Sequence, residues 1–355
     1  MSVPPLVGKL RRLIGANGPM SVAEYMAHCL GDFEHGYYTT RDPFGAAGDF
    51  VTAPEVSQMF GEIVGAWLIE AWRLLGAPAP VRLVELGPGR GTLMADMLRV
   101  AAHVPDFCRA ASVHLVETSP VLEARQAETL KASGVEPIWH SSMQDVPAGP
   151  ILLVANEFFD ALPIRQFVRL DIWRERVVRL DARERLVFGI GPGVLDHGPD
   201  ASQGSIFEVR PAADALIVKI AERIVAGRGA ALIIDYGHAE SAPGETLQAL
   251  HGHAFADPLA WPGESDLTAH VDFAALADAA RCAGAQTHGP MPQGEFLAAL
   301  GLLERADRLG AEADRPTRAA LSAAVARLAG PDGMGALFKV LALTPPGVVP
   351  PPFGE

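Results

Sequence analysis

A chain of 355 residues that is 49% hydrophobic and 20% charged can bury one large core or two smaller ones, and it is too apolar to be disordered. Its 42 acidic against 29 basic residues give a formal net charge of −13, which argues against duplex DNA or an anionic membrane as partner and suits a basic one. Three dispersed cysteines, Cys29, Cys108 and Cys282, and no apolar run of membrane-spanning length point to a reducing, cytoplasmic setting without membrane insertion.

The N-terminus lacks the pattern of a secretory signal and reads as an amphipathic helix with Leu6, Leu10, Leu13 and Ile14 on one side. Residues 1–80 are expected to be helical. Ser21-Val-Ala-Glu24 and Thr52-Ala-Pro-Glu55 both match the capping box, in which a hydroxyl and a carboxylate satisfy each other's free amides. Beyond the second box, Val56, Met59, Phe60, Ile63, Val64, Trp67, Leu68, Ala71 and Trp72 recur at helical spacing and predict one long helix docked on a sheet.

From residue 81 the rhythm becomes strand–helix alternation. Strands are predicted at Val81–Leu86, Ser112–Val116, Val135–Trp139, Ile151–Ala155, Ala230–Ile234 and Ala336–Leu343. Helices are predicted at Thr92–Ala102, from Ser119-Pro120 to about Ser133, at Ala212–Ala226 and at Phe273–Ala283 capped by Asp272, with 295–329 also helical. Such alternation implies right-handed crossovers and a parallel sheet. Arg165–Ile190 instead alternates apolar and charged residues and reads as inserted antiparallel strands. The Pro-rich tail is expected to be loosely held.

The first strand runs into Glu85-Leu-Gly-Pro-Gly-Arg-Gly91 and then a helix, the arrangement of a ligand-binding turn. Gly87, Gly89 and Gly91 allow close backbone approach. The dinucleotide fingerprint fails because Thr92 stands at its third glycine, and the P-loop lysine is absent. What remains, acid-Leu-Gly-x-Gly-x-Gly, resembles the first motif of class I S-adenosylmethionine-dependent methyltransferases. Glu85 is expected to face the methionine ammonium, directly or through water. Glu117, ending the second strand, is placed to accept the ribose hydroxyls. Thr118, Met143 and Gln144 join the expected cofactor contacts.

After the fourth strand comes Asn156-Glu-Phe-Phe-Asp-Ala-Leu-Pro163, at the strand ends where doubly wound folds gather ligands. Asn156, Glu157 and Asp160 are the candidate catalytic residues, suited to orienting a cationic or N–H-bearing acceptor, and Asn156 and Asp160 also read as helix caps. Glu157 is the leading candidate. Asp235 is read either as a substrate-cleft residue or as a loop anchor. His270, with Asp266 and Asp272, is a candidate substrate residue or a histidine satisfied by backbone; His251 and His253 complete no metal-ligand spacing, and no metal is expected.

Gly48–Glu55, Glu85–Gly91, Asn156–Pro163, Asp235–Gly237 and Asp266–Phe273 occur together and in order, and this set resembles the MidA-like family, which includes a mitochondrial complex I assembly factor. The resemblance implies a Rossmann-like class I methyltransferase fold of the α/β class, with a seven-stranded, mainly parallel sheet, a helical N-terminal extension and inserted antiparallel strands. It implies S-adenosylmethionine as cofactor and arginine methylation of a protein partner, in the mitochondrial case a respiratory complex I subunit. Gly48, Asp49, Phe50 and Thr52 become a lid over the cofactor. The expected organisation is an extension and lid over 1–80 and a methyltransferase domain over 81–355, with insertions at about 164–212 and 238–272. The absence of an evident transit peptide points to a bacterial member. Small-molecule methylation, and a cofactor-binding assembly chaperone with little catalysis, stand as alternatives.

Overall fold

The computed structural model of the protein describes residues 4–40 and 52–354, so the expected lid residues Gly48, Asp49 and Phe50 lie outside the described residues. Two compact units emerge. One comprises Val51–Phe159, Leu216–Ala239 and Val271–Glu355; the other comprises Met1–Phe50, Asp160–Ala215 and Glu240–His270.

The first unit is built on a mixed sheet. Its strands are β1 (Val81–Leu86), β2 (Ala111–Val116), β3 (Ile138–His140), β4 (Ile151–Asn156), β5 (Ala230–His238), β6 (Gln286–Pro292) and β7 (Phe338–Thr344). Their spatial order is β3-β2-β1-β4-β5-β7-β6, and a two-residue strand, Val271–Asp272, pairs with the end of β5. The strands β1 to β5 run parallel, while β7 is antiparallel to both β5 and β6. The expected seven-stranded, mainly parallel sheet is therefore present.

Parallel strands are covered on both faces, so their sequences are apolar throughout. Val81 and Leu83 of β1, Leu152 and Val154 of β4, and Ala230, Leu232 and Ile234 of β5 point to one face and meet Met59, Phe60, Val64, Trp67 and Leu68 of the helix Gln58–Leu74. That helix lies close against the helix Thr92–Ala101 because two glycines one turn apart face it. A Cβ at Gly61 would lie 2.5 Å from Asp96 Cβ, and one at Gly65 would lie 2.9 Å from Met97 Cα.

Several expectations need correction. The long helix is broken into Ala53–Val56 and Gln58–Leu74, because Ser57 leaves the helical conformation and caps the second piece, its hydroxyl accepting from Met59 N at 3.3 Å. The capping box forms at Ser21 and Glu24 but not at Thr52, whose side chain makes no cap bond. Glu55 instead accepts the Thr92 hydroxyl at 2.6 Å. The strand expected at Val135 begins at Ile138, and β5 continues through Asp235 to His238. β6 went unpredicted because a register shift between His288 and Met291 interrupts its alternation. The Pro-rich tail is held: the Trp67 indole donates to Pro351 O at 2.7 Å, and the Phe353 ring lies 6.0 Å from that of Phe296. A buried indole N–H needs an acceptor, and the tail supplies it.

The second unit is antiparallel. Met20–Ser21, Arg165–Arg169, Trp173–Leu180, Leu186–Leu195 and Ile206–Val209 form one sheet, and Gln248–His251, Ala254–Ala256 and Asp266–Thr268 form another. The helices Pro5–Asn17 and Val22–Gly31 supply Leu6, Leu10, Ile14, Tyr25 and Met26 to a core shared with Ile164, Val178, Leu247 and Leu267. Buried Glu208 ties the two stretches together, accepting from Gln166 Nε2 at 2.8 Å, Arg210 Nη2 at 3.0 Å and Thr246 N at 2.9 Å. No helix among the described residues is long and apolar enough to cross a membrane.

Replacing Gly65 by Val drives a branched side chain into the Met97 backbone and is expected to destabilise the protein by about 1–3 kcal/mol, measured by urea unfolding. A change below about 0.5 kcal/mol would contradict the close helix contact.

Candidate functional site

Three adjacent parallel strands in the order β2-β1-β4 carry acids at or just past their carboxyl ends, Glu117, Glu85 and Glu157, and the next strand, β5, carries Asp235 just beyond its last pairing with β4. Glu85 is the most enclosed of the glutamates. It is 3% exposed, and its Oε2 has no hydrogen-bond partner among the described residues. Burial, reinforced by the charge of Glu117, pushes its carboxyl up to about 8.

The turn that follows β1 is left-handed at Gly87 (φ 61°), Gly89 (φ 53°) and Gly91 (φ 80°), conformations that other residues adopt only with strain. Gly87 is also crowded, since a Cβ there would lie 2.7 Å from Cδ2 of the Phe158 ring. Gly91 caps the helix Thr92–Ala101 without a side-chain bond to its first amides.

Glu117 is held in a fixed orientation. Its Oε1 accepts from the amides of Thr118 and Ser119, each at 2.8 Å, and its Oε2 accepts from Gln126 Nε2 at 3.0 Å. Burial raises its carboxyl above the ordinary range, and these hydrogen bonds work against that. Thr118 is exposed beside it. After β3, Met143 is buried with its carbonyl accepting from Arg223 Nη1 at 2.8 Å, while Gln144 is exposed. Thr52 precedes the helix Ala53–Val56, and its carbonyl accepts from Glu55 N at 2.9 Å.

At the end of β4, Asn156 is buried, with Oδ1 unpartnered among the described residues and Nδ2 donating to Glu157 Oε1 at 3.2 Å. Glu157 has φ 50°, a left-handed conformation without glycine's freedom. Its Oε1 also accepts from Ala53 N at 2.9 Å, and its own amide donates to Ile234 O at 2.9 Å. Asp235, fully buried, accepts at Oδ2 from the amides of Phe158 (3.1 Å) and Phe159 (2.9 Å), and at Oδ1 from Tyr236 N at 2.9 Å. The loop-anchor reading of Asp235 is thus the one its hydrogen bonds describe.

Two sequence candidates fall in the antiparallel unit. Asp160 is buried there, and its carbonyl accepts from Ala269 N at 3.0 Å. His270 uses its backbone, donating to the Thr246 hydroxyl at 3.0 Å and accepting from Arg210. His251 stacks on Trp261 with centroids 4.8 Å apart, its Nδ1 3.0 Å from Glu264 O. Asp272 caps the helix Phe273–Cys282 through Ala275 N at 3.0 Å.

Sequence reasoning missed Gln126. It is fully buried, donates to Gly89 O at 2.8 Å as well as to Glu117, and accepts from the Trp139 indole at 2.8 Å. Its signal was present: Leu122, Gln126 and Leu130 share one buried stripe of the helix Pro120–Leu130, and an amide inside an apolar stripe must find partners. Phe158, walling Gly87, carried no comparable signal.

The raised Glu85 carboxyl fixes a pH dependence. In the unliganded protein the unfolded chain ionises Glu85 freely and the folded chain resists it, so stability present at low pH is lost as pH rises from about 4.5 through about 8. Glu85→Gln removes that loss. Its stability relative to wild type is expected to improve by more than about 1 kcal/mol between about pH 5 and about pH 8.5, read by urea unfolding. A pH-independent difference would show that Glu85 is not held in a charge-hostile site.

The zebrafish (Danio rerio) mitochondrial protein arginine methyltransferase NDUFAF7 is 38% identical over 359 residues, covering 91% of this chain and 83% of the relative. The human protein of that name is 36% identical over 375 residues, covering 97% and 84%. A crystal structure from Burkholderia thailandensis, bound to S-adenosyl-homocysteine, matches with a TM-score of 0.84 at 30% identity, covering 96% of this chain and 91% of that one. The sheet is accordingly that of a class I methyltransferase, and its cofactor is S-adenosylmethionine. Residues 63–291 match the family described as "Putative S-adenosyl-L-methionine-dependent methyltransferase", and with these relatives the match shows that the chain belongs to the MidA-like family of S-adenosylmethionine-dependent methyltransferases.

Proposed function

We propose that the carboxyl ends of β1, β2 and β4 hold S-adenosylmethionine, and that Glu157 receives an arginine side chain of a protein partner. The acceptor groups fit the cofactor. Glu85, a dry carboxylate with an unpartnered oxygen among the described residues, suits an ammonium, and Glu117 Oε2, with one donor, keeps acceptor capacity for a ribose hydroxyl. Gly87, Gly89 and Gly91 offer backbone without side chains, and Thr118, Met143 and Gln144 follow the neighbouring strands on the adenosine side. When bound, the cofactor supplies a sulfonium methyl for in-line transfer, the acceptor nitrogen bonding to it as a neutral thioether leaves and losing one proton to solvent.

The observation that carries the acceptor assignment is the posture of Glu157. A left-handed glutamate at a strand end is costly, and here Asp235 holds the two amides that follow it while Ala53 and Asn156 fix its carboxylate. A carboxylate of fixed plane pairs with a guanidinium, orients the attacking nitrogen and draws positive charge away from it. Asn156 is a positioning residue through its bond to Glu157. The curated relatives are named protein arginine methyltransferases, which favours an arginine acceptor, and a respiratory complex I subunit is the partner that the resemblance to the MidA-like family suggests. Free cysteines at Cys29, Cys108 and Cys282 suit a reducing location, the cytoplasm of a bacterial cell.

Incubating the enzyme and labelled S-adenosylmethionine with extract from a deletion strain is expected to label a protein that yields methylarginine on hydrolysis. Label confined to the low-mass fraction would replace this reading with a small-molecule acceptor. Glu157→Gln is expected to lower transfer by about a hundredfold or more while S-adenosyl-homocysteine binding persists. Undiminished turnover would remove Glu157 from the acceptor site.

A further inference from the structure

We infer that Gln126 is a positioning residue for the cofactor, locking the ribose-facing carboxylate Glu117 and the glycine loop into one preorganised surface. This rests on the cofactor reading above. The orientation of the amide follows from its partners. An indole nitrogen can only donate, so the Gln126 atom 2.8 Å from Trp139 Nε1 is the acceptor Oε1. Both protons of Nε2 are then committed, one to Gly89 O at 2.8 Å and one to Glu117 Oε2 at 3.0 Å. The side chain is fully buried, so water cannot replace these bonds without repacking.

Each bond has a consequence for the ligand surface. Oε1 of Glu117 is occupied by two backbone amides, which leaves Oε2 as the oxygen with spare acceptor capacity, and Gln126 sets the direction of that capacity. Gly89 is the central glycine of the turn, and tethering its carbonyl fixes the peptide on which its left-handed conformation depends. The loop's far end touches the same residue, since a Cβ at Gly91 would lie 3.4 Å from Gln126 Cα. One amide therefore couples the loop after β1 to the acid after β2. Trp139, on β3, keeps that amide from flipping.

The test is calorimetric titration of S-adenosyl-homocysteine into Gln126→Met, Trp139→Phe, Glu117→Gln and the double variant Gln126→Met/Glu117→Gln, with thermal melts of each unliganded protein. Gln126→Met preserves length and removes both donors; it is expected to weaken binding about tenfold or more. Trp139→Phe keeps the ring, frees the amide to flip and is expected to cost about threefold. The diagnostic is coupling: in the Glu117→Gln background, Gln126→Met should cost less than about threefold, because its partner is already altered. Kinetically, the rise in KM for the cofactor should exceed the fall in kcat. A purely structural residue would lower melting temperature with losses that multiply in full, and that result overturns the inference, as does binding within about twofold of wild type in Gln126→Met. If Gln126→Met does not fold, unchanged affinity in Trp139→Phe overturns it and the threefold loss supports it. Should Glu117→Gln itself bind normally, the ribose assignment of Glu117 fails first; weakened binding there with normal binding in Gln126→Met defeats only the present inference.

Discussion

A carboxylate sealed from water at the end of β1 constrains the rest of the sheet unit. Glu85 sits where a parallel sheet brings strand ends together, beside a second acid at the end of β2, and among the described residues one of its oxygens finds no donor. Burying a charge without a partner costs several kcal/mol, so the carboxyl is held protonated near neutrality. The apolar core on one face of the sheet, with Trp67 and Phe60 of the helix Gln58–Leu74 pressed on it, keeps the strand ends rigid enough to sustain this deficit. Gly61 and Gly65 let that helix and the loop-following helix approach closely.

The neighbouring strand ends divide the work. Glu117 is satisfied on one oxygen by backbone amides and oriented on the other by Gln126, which makes it an acceptor of fixed direction. On the other side of β1, Glu157 is held in a left-handed conformation that costs on the order of 1 kcal/mol or more, offset by the amide bonds of buried Asp235. Phe158, between them, lies against Gly87, so the glycine turn and the Glu157 loop share one wall. On the proposed reading, donor and acceptor groups meet across that wall, and only glycine fits at position 87.

Much of this arrangement was legible in the residues. Short apolar runs between helical stretches located β1, β2, β4 and β5, because fully buried parallel strands are uninterrupted apolar runs. Glu85, Glu117 and Glu157 stood out as acids closing such runs, and Ser21 and Asp272 were correctly read as caps. What escaped depended on tertiary partners. Thr52 looked like a cap, but Glu55 is drawn off by the Thr92 hydroxyl. The tail looked free, but the buried Trp67 indole required its carbonyl. Gln126 stands in an apolar stripe that marks it as a buried amide, but its three partners lie on two loops and another strand, and the amides that Asp235 accepts from lie 76 and 77 residues away in sequence.

On the proposed reading, Glu85 is a neutral acid awaiting the ammonium of the cofactor. Calorimetric titration of S-adenosyl-homocysteine at about pH 7, in buffers of different ionisation enthalpy, counts the protons exchanged on binding. With the free carboxyl near 8 and the bound one ionised against an ammonium, release of about one proton per ligand is expected, abolished in Glu85→Gln. Binding with no net proton release in the wild-type protein would contradict it.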